Sequence, residues 1–127
     1  MNRDVFAITL ATDDLIATEE FYRDVFGADI VHSDEVSRVF KFGSMLINCL
    51  ELREAKSLFE PAKLTAAVHT SMLTIQVKNV DAEAKRLDAL DVVLNTEPTD
   101  QPWGIRTITF IDPTGQLWEF SHPLATK

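Results

Sequence analysis

The stretch WGIRTITFIDPTGQLWEFSH, Trp103 to His122, reads as a β-hairpin: an alternating run, a tight turn and a second alternating run. Asp112-Pro113-Thr114-Gly115 supplies the turn, because proline presets φ at the second position and glycine suits the close. With those four residues as the loop, Ile111 pairs with Gln116, Phe110 with Leu117, Ile108 with Glu119 and Arg106 with Ser121. Directly opposed residues share a face of the sheet. One face then carries Thr107, Thr109, Ile111, Trp118 and Phe120, and the other Arg106, Ile108, Phe110, Leu117, Glu119 and Ser121. Charged groups among apolar ones mark the second face as a pocket wall. A slip of one residue would exchange the faces.

Working back from the hairpin, Thr96 to Pro102 reads as a polar loop and Val92 to Leu94 as a short strand. Asn79 or Asp81 caps a helix through Leu90, with Val80, Ala84, Leu87 and Leu90 on its apolar stripe. Met72 to Val77 alternates as a strand. The N-terminal half shows the same order. Val5 to Leu10 is a strand, with Phe6, Ile8 and Leu10 on the core face. Thr12, Asp13 and Asp14 are capping candidates for a helix ending at Phe26, and Gly27 is its stop. Asp29 to His32, Arg38 to Phe42 and Met45 to Leu52 complete three more strands. A shift of 65 residues lays Ala7 on Met72, Thr9 on Thr74, Leu15 on Val80 and Tyr22 on Leu87. Each β-α-β-β-β unit is too small to bury its own sheet, so the repeat implies a shared core or cleft. The expected organisation is one domain over 1–127: a first module over 4–52, a connector over 53–70 and a second module over 71–123.

Bulk composition excludes several classes of function. The formal net charge of −8 repels phosphate backbones, so nucleic acid is not an expected partner, whereas a cationic small molecule would be attracted. No apolar run approaches the ~18 residues of a membrane span, and the N-terminus lacks signal-peptide character. Cys49 is the lone cysteine, which fits a reducing compartment, and the cytoplasm is the expected location. The four glycines form no phosphate-binding turn, and no Ser-His-Asp order appears.

LATDDLIATEEFYRDVFGADIV resembles the first-module signature of the vicinal oxygen chelate superfamily, which includes glyoxalase I, bleomycin-resistance proteins and extradiol dioxygenases. VKNVDAEAKRLDAL resembles its second-module helix, and FIDPTGQLWEF its closing hairpin. The resemblance implies an α+β fold of two paired βαβββ modules, a cupped mixed sheet around a cavity with helices on the outer face. It also implies a homodimer. Enzymes of the superfamily bind a divalent metal through the first strand and a late strand of each module. Those positions fall here on Ala7, Met72, Glu119 and, within one residue, Asn48. Alanine and methionine are poor ligands for the metals concerned, which prefer imidazole and carboxylate. None of His32, His69 and His122 aligns with a ligand position. The expectation is no metal, no cofactor and no assigned catalytic residue.

The leading reading is therefore a metal-free protein that sequesters a small molecule of aromatic or cationic character, as bleomycin-resistance relatives do. Its candidate ligand-binding residues are Asn48, Met72, Thr74, Trp103, Arg106, Phe110 and Glu119. Arg106 would anchor a carboxylate or pair with Glu119 or Glu51, and Trp103 would wall the cavity rim or plug it. Three alternatives stand beside this reading. One is a metal-dependent lyase, isomerase or dioxygenase with displaced ligands, such as Glu119 with Glu51 and His69 or His122. Another is a metal-independent enzyme with Glu119 as general base. The last is an interaction module whose cavity is filled by Met72, Phe110 and Trp103.

Overall fold

A computed structural model describes residues 1–64, 69 and 71–125. Residues 65–68 and 70 of the expected connector lie outside the described residues. The chain divides into two compact units, Met1–Ala67 and Val68–Lys127. Among the described residues, no helix is long and apolar enough to cross a membrane.

The first unit runs β1 (Ala7–Thr12), α1 (Leu15–Phe26), β2 (Asp29–Ser33), β3 (Ser37–Phe42), β4 (Met45–Glu51) and α2 (Leu52–Phe59). Its sheet has the order β1-β4-β3-β2, with β1 parallel to β4 and the other pairs antiparallel. The local chemistry of α1 explains its limits. The Asp14 side chain accepts the Ala17 N–H at 2.9 Å, and the buried Thr12 and Thr18 hydroxyls meet at 2.9 Å beneath that cap. Gly27 ends the helix at φ 59°, a left-handed conformation that glycine adopts without a Cβ penalty. Tyr22 then lies against Phe40 at 4.8 Å and Phe26 against Phe42 at 5.3 Å, which defines the helix-covered face of the sheet. Ile47 and Cys49 of β4 are buried on that face.

Two N-terminal expectations change. Phe6 is 75% exposed rather than core, because the paired register with β4 begins one residue later, at Ala7 opposite Leu46. Leu52, expected to end a strand, instead opens a helix that takes up the start of the expected connector, Leu52–Phe59: Glu51 caps it by accepting the Arg53 and Glu54 N–H groups, and Ala55 is its buried anchor.

The second unit runs β5 (Met72–Gln76), α3 (Val80–Ala89), β6 (Leu94–Asp100), β7 (Ile105–Ile111) and β8 (Leu117–Pro123). The sheet order is β5-β8-β7-β6, with β5 parallel to β8. Together the units are two four-stranded mixed sheets with three helices, an α+β architecture of two βαβββ modules. Asn79 caps α3 by accepting the Ala82 N–H, while His122 Nδ1 accepts the Val80 N–H at 2.8 Å. Val80 and Leu87 are fully buried above Ile108, Phe110, Trp118 and Phe120. The segment expected as a loop from Thr96 is strand instead. Its bulges between Leu94 and Thr99 scramble the alternation, and Pro98 is tolerated because β6 is an edge strand.

The closing hairpin has the expected strands but a different register. Ile111 pairs with Leu117, Thr109 with Glu119 and Thr107 with Ser121, so the loop spans 112–116. Asp112 explains the extra residue. Its Oδ1 accepts from the Thr114 N–H at 2.7 Å, the Thr114 hydroxyl at 2.6 Å and the Gln116 N–H at 3.1 Å. Its Oδ2 accepts the Trp118 indole N–H at 2.9 Å. The carboxylate thus draws Gln116 into the loop, and Gly115 closes it at φ 91°.

Candidate functional site

The longer loop moves β7 by one residue against β8, and every β7 side chain changes face relative to the four-residue-loop register. Arg106, Ile108 and Phe110 lie with Trp118, Phe120 and His122 beneath α3. Thr107, Thr109 and Ile111 lie with Leu117, Glu119 and Ser121 on the opposite face. The parallel pairing adds Met72, Thr74 and Gln76 to that second face, since they oppose Leu117, Glu119 and Ser121.

Two candidate residues therefore leave the pocket wall. Phe110 is fully buried and packs edge-on against Phe120 at 4.9 Å, as core. Arg106 reaches Asp81 of α3 at 3.0 Å and Asp100 of β6 at 2.7 Å, not Glu119 or Glu51. Those hydrogen bonds, Asp81 first and Asp100 second, raise the guanidinium's pKa further above its ordinary value. Arg106 fastens α3 to the sheet edge.

Glu119 and Thr74 do come together. The Thr74 hydroxyl donates to Glu119 Oε1 at 3.0 Å. No lysine or arginine among the described residues forms an ion pair with Glu119. Next to it on β7, Thr109 Oγ1 bonds with Thr96 Oγ1 at 2.7 Å and accepts Asn95 Nδ2 at 3.0 Å. Gln101 Nε2 similarly donates to Thr107 Oγ1 at 3.0 Å. The hairpin's TIT alternation signalled these threonines, but the four-residue loop placed them on the core side. Met72 and Trp103, at 44% and 69% exposure, leave apolar surface uncovered on β5 and in the β6–β7 turn.

In the first unit, Asn48 occupies the place that Glu119 holds in the second. It lies opposite Thr9 on β1 and Val39 on β3, on the face away from α1, just as Glu119 lies opposite Thr74. Among the described buried side-chain polar atoms, Asn48 Oδ1 is the one with no hydrogen-bond partner.

The model of the glyoxalase/bleomycin resistance protein/dioxygenase superfamily matches residues 5–120. The chain belongs to that superfamily. Solved structures agree on the fold. A glyoxalase/bleomycin resistance protein/dioxygenase from Nocardioides is 22% identical, with a TM-score of 0.84 over 100% of this chain and 87% of that one. A glyoxalase-related enzyme from Fulvimarina pelagi is 23% identical, with a TM-score of 0.84 over 94% and 88% of the two chains. Lactoylglutathione lyase from Agrobacterium tumefaciens is 25% identical, with a TM-score of 0.74 over 94% and 93%.

The metal positions implied by the superfamily resemblance do not make a donor set here. Ala7 offers no donor, Met72 a soft thioether, Asn48 an amide and Glu119 the single carboxylate. Hard divalent ions need several oxygen or nitrogen ligands. The displaced-ligand cluster also fails within the second unit: Glu119 and His122 point to opposite faces of β8, and His122 Nδ1 is engaged by Val80. Glu51 caps α2. Among the described residues, no three His, Cys, Asp or Glu side chains are grouped to hold an ion.

Proposed function

We propose that this superfamily member binds a small molecule without a metal ion, using the Thr74–Glu119 face of its second unit. The observation that carries the reading is the state of Glu119: a carboxylate held by the Thr74 hydroxyl, with no cationic partner among the described residues. A fixed carboxylate of this kind favours a cationic ligand, and the net charge of −8 adds long-range attraction. Exposed Met72, two residues from Thr74 on the same face of β5, supplies apolar surface for the ligand's body. The bleomycin resistance branch of the family offers the analogy: sequestration rather than turnover. The same proposal has the protein act as a cytoplasmic homodimer.

The test compares benzylamine with benzyl alcohol, which share a ring and differ in charge, by calorimetric or NMR titration. Benzylamine should bind preferentially, and Glu119→Gln should weaken it about tenfold, the equivalent of one charge-assisted hydrogen bond. Equal binding of the two probes, or an unchanged affinity in Glu119→Gln, would overturn the reading. A metal-dependent lyase is the second reading. It is favoured by Glu119 at the family's closing-strand position and by the likeness to the Agrobacterium lyase. It needs ligands beyond the four positions that carry them in the superfamily.

A further inference from the structure

The first turn of α3 is fastened to the sheet by two side chains that stand opposite one another, His122 on β8 and Arg106 on β7. His122 Nδ1 accepts the Val80 N–H at 2.8 Å. An imidazole nitrogen accepts only when it carries no proton, so the contact fixes the neutral ring with its proton on Nε2. Arg106 donates to Asp81, the next residue of the helix, at 3.0 Å and to Asp100 of β6 at 2.7 Å. Glu83, further along α3, is paired with Arg86 at 2.6 Å. Strand β5 turns Leu73 and Ile75 to this face, opposite Trp118 and Phe120, and adds no titratable group to it. Lys78, between β5 and α3, is exposed. The strand that carries the imidazole is itself held. The Val77 N–H donates to the Ser121 carbonyl at 2.8 Å, and the Leu124 N–H to the Gly104 carbonyl at 2.9 Å. His122 is half-buried, so solvent protons reach a ring whose backbone is fixed.

We propose that the His122–Val80 contact is a proton-operated latch, and that proton uptake by the imidazole frees the first turn of α3 from β8. Imidazole is the side chain whose charge changes between about pH 5 and 8. Three effects of the added proton act in one direction. Nδ1 becomes a donor and faces the Val80 N–H, a second donor. The new charge stands at the N-terminus of α3, where the helix dipole is already positive. It also stands across the strands from the Arg106 guanidinium, and like charges directly opposed repel. Asp81 would attract the imidazolium, but Arg106 already spans that carboxylate with Nε and Nη2. The release is local, because Leu87 is fully buried and keeps the far end of the helix on the sheet. The latch works on the helix side of β8, opposite Glu119, and is independent of what the other face binds.

The experiment follows amide hydrogen exchange and imidazole nitrogen shifts by NMR between pH 8 and pH 5. Exchange is expressed as protection relative to the unstructured chain, with the Leu87 N–H as the reference within α3. At pH 8 the His122 ring should carry its proton on Nε2 and none on Nδ1. As Nδ1 gains its proton, protection of the Val80 N–H should fall about tenfold against Leu87, the loss of one backbone hydrogen bond. His122→Asn places an acceptor that does not titrate beside Val80. In that variant the pH dependence should vanish, whatever level of protection the amide oxygen restores, while His32 and His69 still titrate. A proton on Nδ1 at pH 8, an Nδ1 that stays bare down to pH 5, or Val80 protection that ignores the proton would each overturn the proposal. So would a pH-dependent loss that survives in His122→Asn.

Discussion

Replacing Asp112 by alanine should remove the group that sets the closing hairpin's register. The carboxylate belongs to a residue only 4% exposed, and it receives the Thr114 N–H and hydroxyl, the Gln116 N–H and the Trp118 indole N–H. The loop donors can turn to water when it is lost. The Trp118 N–H cannot, because its side chain is 2% exposed beneath α3. A stranded buried donor costs about 1–3 kcal/mol, and partial loss of the charge-assisted loop bonds brings the total to roughly 3–5 kcal/mol. For a chain of this size that is about 10–20 °C in Tm. Asp112→Asn should fall between, since its oxygen can serve the loop while its amino group opposes the indole N–H. Urea denaturation followed by circular dichroism measures each loss. A double-mutant cycle with Trp118→Phe isolates the indole bond, with an expected coupling of about 1–2 kcal/mol. A loss below about 1 kcal/mol in Asp112→Ala would refute the claim that this carboxylate fixes the five-residue loop.

Other outcomes follow from the same geometry. His122→Phe should cost about 1–2 kcal/mol in urea denaturation, because the Val80 N–H at the start of α3 loses its acceptor. Arg106→Leu should cost no more than about 1 kcal/mol and leave ligand affinity unchanged, since its partners Asp81 and Asp100 are both exposed and it faces away from Glu119. Asp34 is held well below the usual carboxylate range, first by His32 and then by the Val36 N–H and the Ser37 hydroxyl. A depressed folded-state pKa contributes stability above the unfolded value near 3.8 that is lost as pH falls toward the folded value. Asp34→Asn should therefore flatten the decline in stability below about pH 4, read by thermal melts across pH.

Much of this fold is written in short-range signals. Asp14 and Gly27 bracket α1, Asn79 opens α3, and the alternation of Met72–Gln76 survives intact because each residue has one face to serve. The equivalence of Asn48 and Glu119 was also legible, to within one residue, through the superfamily resemblance. What escaped the sequence depends on long-range or multi-atom choices. The fifth loop residue is selected by Asp112 acting on Gln116 and Trp118 together, and that one residue carried Arg106 and Phe110 to the helix side. Strand β6 is hidden by its bulges and by Pro98, and α2 by a charge-rich sequence with one buried anchor, Ala55. Phe6 looked like core from the alternation of Val5 to Leu10, yet the β1–β4 register begins just after it.

The central claim, small-molecule binding without a metal ion, is tested most directly by metal content. Elemental mass spectrometry on untagged protein should find no stoichiometric metal, and titration with Mn, Fe, Ni and Zn should give only weak, adventitious binding. Glu119→Ala should leave both results unchanged. One equivalent of tightly held metal, lost in Glu119→Ala, would contradict the account and restore the metal-dependent chemistry of the superfamily to this chain.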